Sequence, residues 1–214
     1  KPGIYSDDPV SVLDYASLYP SSIIEKNLSH ETYIGTEEEI KNNPEIEKVI
    51  KDIGGYDKCW GIEYDDYIYE KKGKTVHKKK ADTQTKCFFV KNKRTEDDKV
   101  IKESMGIIPI VLQTLLDQRK ATRKKIKETN DDNKKKVLDG FQLAYKVTAN
   151  SVYGQMGAKT SPIFFKKIAA CTTAIGRERI DDASIGVKKW ATAEGYHEPE
   201  IVYGDTDSVF VKFS

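Results

Sequence analysis

The sequence predicts an α+β fold in which helices back an antiparallel sheet and a separate pair of helices forms an antiparallel hairpin. Two apolar, β-branched runs flank a polar Gly-Asp-Thr-Asp step in residues 201–211, which is typical of a β-hairpin. Residues 9–14 predict a buried strand. Apolar residues recur at helical spacing over 106–128 and 134–153, with a turn signal between them.

The remaining elements are predicted from shorter patterns. A helix is expected from Pro20 to about Asn27, and a third helical stretch over 162–190, with a break near Gly176, is expected to pack beneath the sheet. The region 30–104 carries no assigned chemistry. Its composition predicts an exposed helix over 37–52, strands at 60–69 and 86–90, and a hairpin turn at Lys71-Lys72-Gly73-Lys74. Lys78-Lys79-Lys80 predicts a solvated turn, with contact to a nucleic-acid backbone as the alternative.

Charge is distributed unevenly along the 214 residues. The net charge is only +2, but Lys and Arg cluster at 71–80 and 119–136, whereas Asp and Glu dominate the early part of the chain. Local basic patches of this kind indicate a polyanionic partner. Arg119 and Arg123 lie one helical turn apart, and Lys146, Asn150 and Tyr153 form one polar stripe.

Cysteine usage and hydropathy restrict the class of protein. Cys59, Cys87 and Cys171 are far apart and form no Cys-x-x-Cys pair, so neither a disulfide framework nor a structural zinc site is expected. A reducing intracellular compartment is the simplest assumption. No apolar stretch approaches the length of a membrane span, so no membrane association is predicted.

The hairpin turn at 205–207 carries two carboxylates, Asp205 and Asp207, which repel each other unless a cation lies between them. Mg²⁺ suits such hard oxygen ligands. A solvated Asp-rich turn is the alternative, and a calcium loop is a third, although the stretch lacks the acidic ligand pattern of such loops. The turn alone leaves these alternatives open.

Asp14 supplies another carboxylate, at the end of a predicted strand that turns tightly into a helix. Turn amides and a helix N-terminus can bind phosphate, although an ordinary strand–helix corner has the same pattern. The helical hairpin can likewise be a solvated basic surface. One reaction requires Asp14, the basic hairpin and the acidic turn together: two Mg²⁺ ions activate a hydroxyl while cations neutralise a triphosphate, as in nucleotidyl transfer.

Three stretches resemble motifs of the family B DNA polymerases. Asp14-Tyr15-Ala16-Ser17-Leu18-Tyr19-Pro20-Ser21 resembles their first palm motif, residues 146–154 resemble their fingers motif, and residues 203–208 resemble their second palm motif. Their order and rough spacing agree with the family, and the resemblance covers most of the chain outside about 30–104. It implies a first palm part at 1–104, with an insertion without an assigned role at about 30–104, and a fingers hairpin at 105–156. The second palm part would lie at 157–214 and be truncated after the catalytic hairpin.

The resemblance implies a DNA-directed DNA polymerase that uses primer–template DNA, deoxynucleoside triphosphates and two Mg²⁺ ions, with Mn²⁺ also suited to the ligands. The metal ligands would be Asp14, Asp207 and the carbonyl of Tyr15, and Asp205 would be a supporting catalytic carboxylate. The amides of Ser17 and Leu18 would bind the triphosphate, while Tyr19 would lie under the sugar. A processivity factor is expected for the complete protein.

The other residues that the resemblance implies act on the nucleotide or on DNA. The phosphates would be contacted by Arg119, Arg123 and Lys146. Asn150 would line the nascent base pair. Tyr153, Gly154 and Thr206 would contact DNA, with Gly154 allowing close approach of the backbone. The residue pattern, independently of the resemblance, predicts that Gly154 ends its helix.

The sequence departs from the family pattern in two places. Ser21 and Ser22 both precede the apolar pair where the usual pattern has one Ser, and Arg123 stands where many relatives carry Lys. The first motif also resembles polymerases of large DNA viruses, which predicts a viral origin and a location in the nucleus or at a cytoplasmic replication site. Both chain ends look cut, so we expect a fragment without exonuclease and thumb that is inactive alone.

Two rival functions are considered. A non-catalytic palm and fingers module would retain the basic groove and bind nucleic acid, but the presence of all the expected carboxylates argues against it. A reverse transcriptase would share the acidic turn, but the motif at 146–154 argues against that class.

Overall fold

Two antiparallel sheets and six α-helices make up the part of the chain that the computed structural model describes, which is residues 5, 8–73 and 75–213. This confirms the predicted α+β class. No helix among these residues combines the length and apolarity that a membrane span requires.

The first sheet has the order β1 (Val10–Asp14), β6 (Ser208–Lys212), β5 (Glu200–Asp205), and all its pairings are antiparallel. The predicted hairpin is therefore confirmed, with Thr206 and Asp207 as its turn. The prediction that β1 is buried is wrong, since Val12 is 52% exposed. As an edge strand, β1 pairs only with β6 within the described residues.

The second sheet has the order β2 (Tyr33–Thr36), β4 (Thr75–Val90), β3 (Cys59–Lys72). Both long strands exceed the predicted ranges and turn at Gly73, whose φ of +64° suits glycine. Lys74 of the predicted turn lies outside the described residues. The solvated turn predicted at residues 78–80 is wrong, because these lysines are paired with β3 in the ladder.

The six helices are α1 (Leu18–Glu25), α2 (Glu37–Asn42), α3 (Pro44–Asp52), α4 (Ile107–Glu128), α5 (Asp132–Gly157) and α6 (Lys166–Ala193). Short 3₁₀ turns occupy Tyr56–Lys58 and Lys102–Ser104. The helix predicted over 37–52 is two helices, because Asn43 accepts a capping hydrogen bond from the Glu45 N–H and Pro44 begins the second. The helical hairpin of α4 and α5 agrees with the prediction.

One predicted helix end and one predicted helix break are wrong. The helix α5 continues through Gly154 to Gly157, and Gly154 has no left-handed φ that would end a helix there. Met156, which is fully buried, holds the last turn in the core. The helix α6 has no break at Gly176, where glycine makes room for a neighbouring side chain instead.

The main core lies where α1, α4, α5 and α6 meet the second sheet. Its fully buried residues include Ile23, Leu112, Met156, Ile168 and Phe89. This packing fixes the start of α1 between the first sheet and the two long helices α4 and α5. The β1–α1 corner is thereby held at the base of the helical hairpin.

Candidate active site

The β1–α1 corner is joined directly to the β5–β6 turn. The backbone N–H of Tyr15 donates a hydrogen bond of 2.8 Å to the carbonyl oxygen of Asp207, and Asp14 is paired with Ser208 in the strand register. The Tyr15 hydroxyl donates to the Arg179 carbonyl at 2.9 Å, which ties the corner to α6. Asp14 and Asp207 are therefore neighbours although 193 positions separate them (207 − 14).

The first turn of α1 follows from an unusual backbone conformation at Ser17. Its φ of +59° is in the left-handed region, and its side chain makes no capping hydrogen bond. The first N–H groups of a helix have no partner within the helix, so an anion can bind there if side chains do not. Ser17 and Leu18 both line the cavity described next.

A cavity of about 470 Å³ lies between the acidic corner and the helical hairpin. Asp14, Tyr15, Thr206 and Asp207 form its acidic side, where the two strand ends meet. The opposite side is formed by Arg119 and Arg123 of α4 and by Lys146 and Asn150 of α5, and Tyr19 lies between the two sides. One cavity thus joins two carboxylates to three cations.

Three of the predicted site residues do not line this cavity. Asp205 is exposed at the end of β5, where one carboxylate oxygen accepts a 3.2 Å hydrogen bond from the Thr206 hydroxyl. Tyr153 contacts the cavity through Tyr19, since their ring centroids are 4.5 Å apart. A Cβ atom on Gly154 would meet nothing within 4 Å beyond the backbone of its own helix, so no other described element approaches it closely.

Tyr19 is held by three helices. Besides Tyr153 of α5, it packs against Gly176 of α6, where an added Cβ would lie 2.9 Å from Cε1 of the Tyr19 ring. Burial raises the pKa of Tyr19, and Tyr153 and Asp207 raise it further, while Arg177 lowers it. The hydroxyl is therefore neutral and able to donate a hydrogen bond at physiological pH.

Sequence reasoning missed three residues that support the site. The sequence predicts a helix break at Gly176, but this residue makes room for the Tyr19 ring. Gln142 accepts a 3.4 Å hydrogen bond from Arg119 Nε. Arg179 is half-buried and pairs with Glu25 at 2.6 Å and with Asp182 at 3.3 Å. The spacing of Arg119 and Gln142 becomes meaningful only when the two helices are antiparallel.

The donor atoms at the corner suit Mg²⁺. Within the described residues, no group of three or more His, Cys, Asp or Glu side chains could hold a metal ion. Asp14 and Asp207 supply two carboxylates, and Tyr15, whose N–H donates to the Asp207 carbonyl, adds a backbone carbonyl. Mg²⁺ is commonly bound by one or two carboxylates together with water, so the chemistry of these donor atoms fits that ion.

The profile described as DNA polymerase family B matches residues 1–214, and the chain belongs to that family.

Curated relatives agree with this assignment. The chain is 37% identical to the DNA polymerase of Pyramimonas orientalis virus over 257 aligned positions, covering 99% of this chain and 19% of the relative. It is 35% identical to the DNA polymerase delta catalytic subunit of Dictyostelium discoideum, covering 99% of this chain and 16% of the relative. The chain therefore spans about a fifth or less of the length of these relatives.

A solved structure shows the same fold. The family B DNA polymerase from the hyperthermophilic archaeon Pyrobaculum calidifontis is similar over 100% of this chain and 21% of that chain, with a TM-score of 0.57 and 28% sequence identity.

Proposed function

We propose that this chain forms the nucleotidyl-transfer centre of a DNA-directed DNA polymerase. The observation that carries the proposal is the single cavity in which Asp14 and Asp207 face Arg119, Arg123 and Lys146. In this proposal the first sheet and α6 belong to the palm, and α4 and α5 are the fingers. The whole protein would extend a primer on a DNA template.

The reaction would join the primer to a deoxynucleoside triphosphate. The primer 3′-hydroxyl would lose its proton to water while its oxygen forms a bond to the α-phosphorus. The bond between the α-phosphorus and the oxygen bridging to the β-phosphorus would break, and pyrophosphate would leave with that electron pair. Mg²⁺, when bound by Asp14, Asp207 and the Tyr15 carbonyl, supplies charge stabilisation and lowers the pKa of the attacking hydroxyl. Two facing carboxylates without cations would instead repel the triphosphate.

The chain's own cations and amides would bind the triphosphate. Arg119 and Arg123 are on one face of α4, and Arg119 is oriented by Gln142. Charge-assisted hydrogen bonds from Arg and Lys to phosphate oxygens are the stronger kind, and the start of α1 adds backbone N–H groups from the other side. The triphosphate would thus be held between α1 and the helical hairpin.

The sugar and base would be selected by the aromatic pair and its neighbours. The ring of Tyr19 would lie under the sugar, where it would exclude a 2′-hydroxyl by steric contact. Asn150 would line the nascent base pair, and Tyr153 and Gly154 would face the DNA minor groove. Thr206 would contact the DNA, and Asp205 would act beside the metal ions as a supporting carboxylate.

The test is Asp207→Ala in the complete protein, with primer extension and DNA binding measured on the same preparation. Synthesis should fall at least about a hundredfold, because transition-state charge stabilisation is lost, while DNA affinity is kept. Glu200→Ala is the control, since Glu200 is on β5 of the same sheet but at the end far from the turn. Unchanged synthesis in Asp207→Ala would refute the metal assignment.

A further inference from the structure

The base of the β3–β4 hairpin packs on the core, whereas its tip extends well beyond the core. Near the base, Cys87, Phe88 and Phe89 are buried, whereas Tyr69 and Val76 toward the tip are 59% and 62% exposed. Residues 71–80 contain six lysines and no acidic residue. A long, exposed hairpin with this composition contributes little to the core, and its charge favours a polyanion.

The strand register divides the tip of the hairpin into two different faces. Tyr67 pairs with Lys80 and Tyr69 pairs with Lys78, so these four side chains share one face. The opposite face carries the intervening pair, Ile68 and Lys79. Each of these tyrosines thus lies beside a lysine of the neighbouring strand, and both pairs are on the same face.

The tyrosine face borders a groove of about 430 Å³ that runs to α5 and α6. From the hairpin it is lined by Tyr67, Tyr69 and Lys78, and from the helices by residues that include Tyr153, Lys166 and Arg177. Tyr153 is the residue that packs on Tyr19. The groove therefore adjoins the candidate active site, on the far side of the Tyr19–Tyr153 pair.

Positive charge prevails in the groove even though two carboxylates also line it. Asp65 forms a 2.9 Å ion pair with Lys80 and accepts a hydrogen bond from Gln84. Asp66 accepts hydrogen bonds from Thr83 and Thr85 at 3.1 and 2.8 Å. Cationic groups come from Lys78 of the hairpin and from Lys166 and Arg177 of α6.

We propose that this groove binds unpaired nucleotides of the template strand next to the active site. Grooves that combine cations with exposed aromatic rings bind single strands, because phosphates meet the charges while bases stack on the rings. Lys78 Nζ lies 3.8 Å from the centroid of the Tyr67 ring and holds it, which leaves the more exposed Tyr69 as the stacking surface. The inference rests on the proposed function, because only a polymerase would make the nucleic acid strand bound in this groove a template.

The experiment compares two adjacent lysines on opposite faces, Lys78→Ala and Lys79→Ala, together with Tyr69→Ala, all in the complete protein. Binding is measured by fluorescence anisotropy on a blunt primer–template and on one whose template has a 5′ overhang of about six nucleotides. The gain in affinity from the overhang is the readout. Primer extension by the unmodified protein is measured alongside.

Tyr69→Ala should reduce the overhang-dependent gain by about tenfold, as expected for one lost stacking contact. Lys78→Ala should also reduce this gain. The slope of log K against log salt concentration for the overhang substrate should become shallower by about 0.7, the value for one phosphate of a single strand. Lys79→Ala, which removes the same charge from the other face, should leave both quantities unchanged. Affinity for the blunt duplex should be the same in all variants.

The proposal would be overturned if Lys78→Ala and Tyr69→Ala leave the overhang-dependent gain in affinity undiminished. It would also be overturned if these variants lose as much affinity for the blunt duplex as for the overhang substrate, because the hairpin would then bind duplex DNA. Equal effects of Lys78→Ala and Lys79→Ala would also overturn it, because they would indicate unspecific attraction. Failure of the proposed function would appear separately, as a lack of primer extension by the unmodified protein.

Discussion

The ring centroids of Tyr19 and Tyr153 lie 4.5 Å apart, and the ring planes are inclined by 35°. Tyr19 belongs to α1 and Tyr153 to α5, so the pair joins the acidic corner to the helical hairpin. Gly176 of α6 also packs against the Tyr19 ring. A ring packed against two other helices is a rigid surface, which is what steric selection of a sugar requires.

Replacing this ring by a smaller side chain should relax sugar selection. In Tyr19→Val the ratio of kcat/KM for deoxynucleotides to that for ribonucleotides should fall at least about tenfold, the usual effect of one steric contact. Tyr19→Phe keeps the ring and should leave the ratio nearly unchanged. A ratio that is unchanged in Tyr19→Val would exclude Tyr19 from sugar selection. The measurement is single-nucleotide incorporation by the complete protein.

Two glycines of α6 should respond to alanine in opposite directions. Gly186→Ala should raise the free energy of unfolding by about 0.5–1 kcal/mol, because alanine favours a helix and nothing lies within 4 Å of its Cβ. Gly176→Ala should lower it by about 1 kcal/mol, because overpacking against Tyr19 costs more than the helix gains. Urea unfolding measures both, and a stabilised Gly176→Ala would contradict the close packing of Tyr19.

Asn27 should be among the most sensitive polar residues in the core. It is fully buried, adopts a φ of +54°, and its amide nitrogen donates to the carbonyls of Val90 at 3.0 Å and Ser104 at 3.3 Å. Its side-chain oxygen accepts from the Gly106 N–H at 2.7 Å, at the start of α4.

Asn27→Ala should therefore lower the free energy of unfolding by about 3 kcal/mol, because buried backbone groups lose their partner. Asn133→Ala, on the exposed first turn of α5, should change it by less than about 0.5 kcal/mol. Equal effects in the two variants would show that Asn27 does not connect the end of α1 to α4.

The Glu39 carboxylate should make stability depend on acid pH. Burial opposes its ionisation, but hydrogen bonds from Lys167, Tyr33 and the Thr36 N–H outweigh burial and lower its pKa to about 2. Because the folded-state pKa is depressed below the ordinary 4.5, the stabilisation is complete above about pH 4.5. It is lost as the pH falls from there toward 2.

The test is Glu39→Gln, which cannot ionise. Its free energy of unfolding should fall below that of the unmodified protein at pH 7, and the difference should shrink between about pH 4.5 and 2. Glu38→Gln, on the same helix, is the matched control. A difference that stays constant over this range would mean that the ion pair with Lys167 does not stabilise the fold.

Local patterns predicted the elements that carry the site. The hairpin at 201–211, the strand that ends at Asp14, and the helices α4 and α5 all follow from periodicity and turn chemistry, which act over a few residues. The residues of the three motifs are named from the resemblance to family B DNA polymerases, not from these patterns. The structure brings most of them to one cavity, and their chemical roles remain predictions.

Other features could not be predicted because they depend on contacts between distant parts of the chain. A glycine inside a helix suggests a break, and only the position of the Tyr19 ring explains Gly176. Three lysines in a row suggest a solvated turn, and only pairing with β3 places them in a strand. The exposure of β1 likewise follows from its position at the edge of a sheet.

The sequence by itself determined the α+β class, the two acidic segments and the basic helical hairpin, because backbone propensity and side-chain charge are local properties. Only the tertiary structure decided that Asp207 lies at the corner beside Asp14 while Asp205 does not line the cavity. It also decided that the β3–β4 hairpin presents tyrosines toward α6. Both outcomes depend on strand register, in which a shift of one residue moves every side chain to the other face.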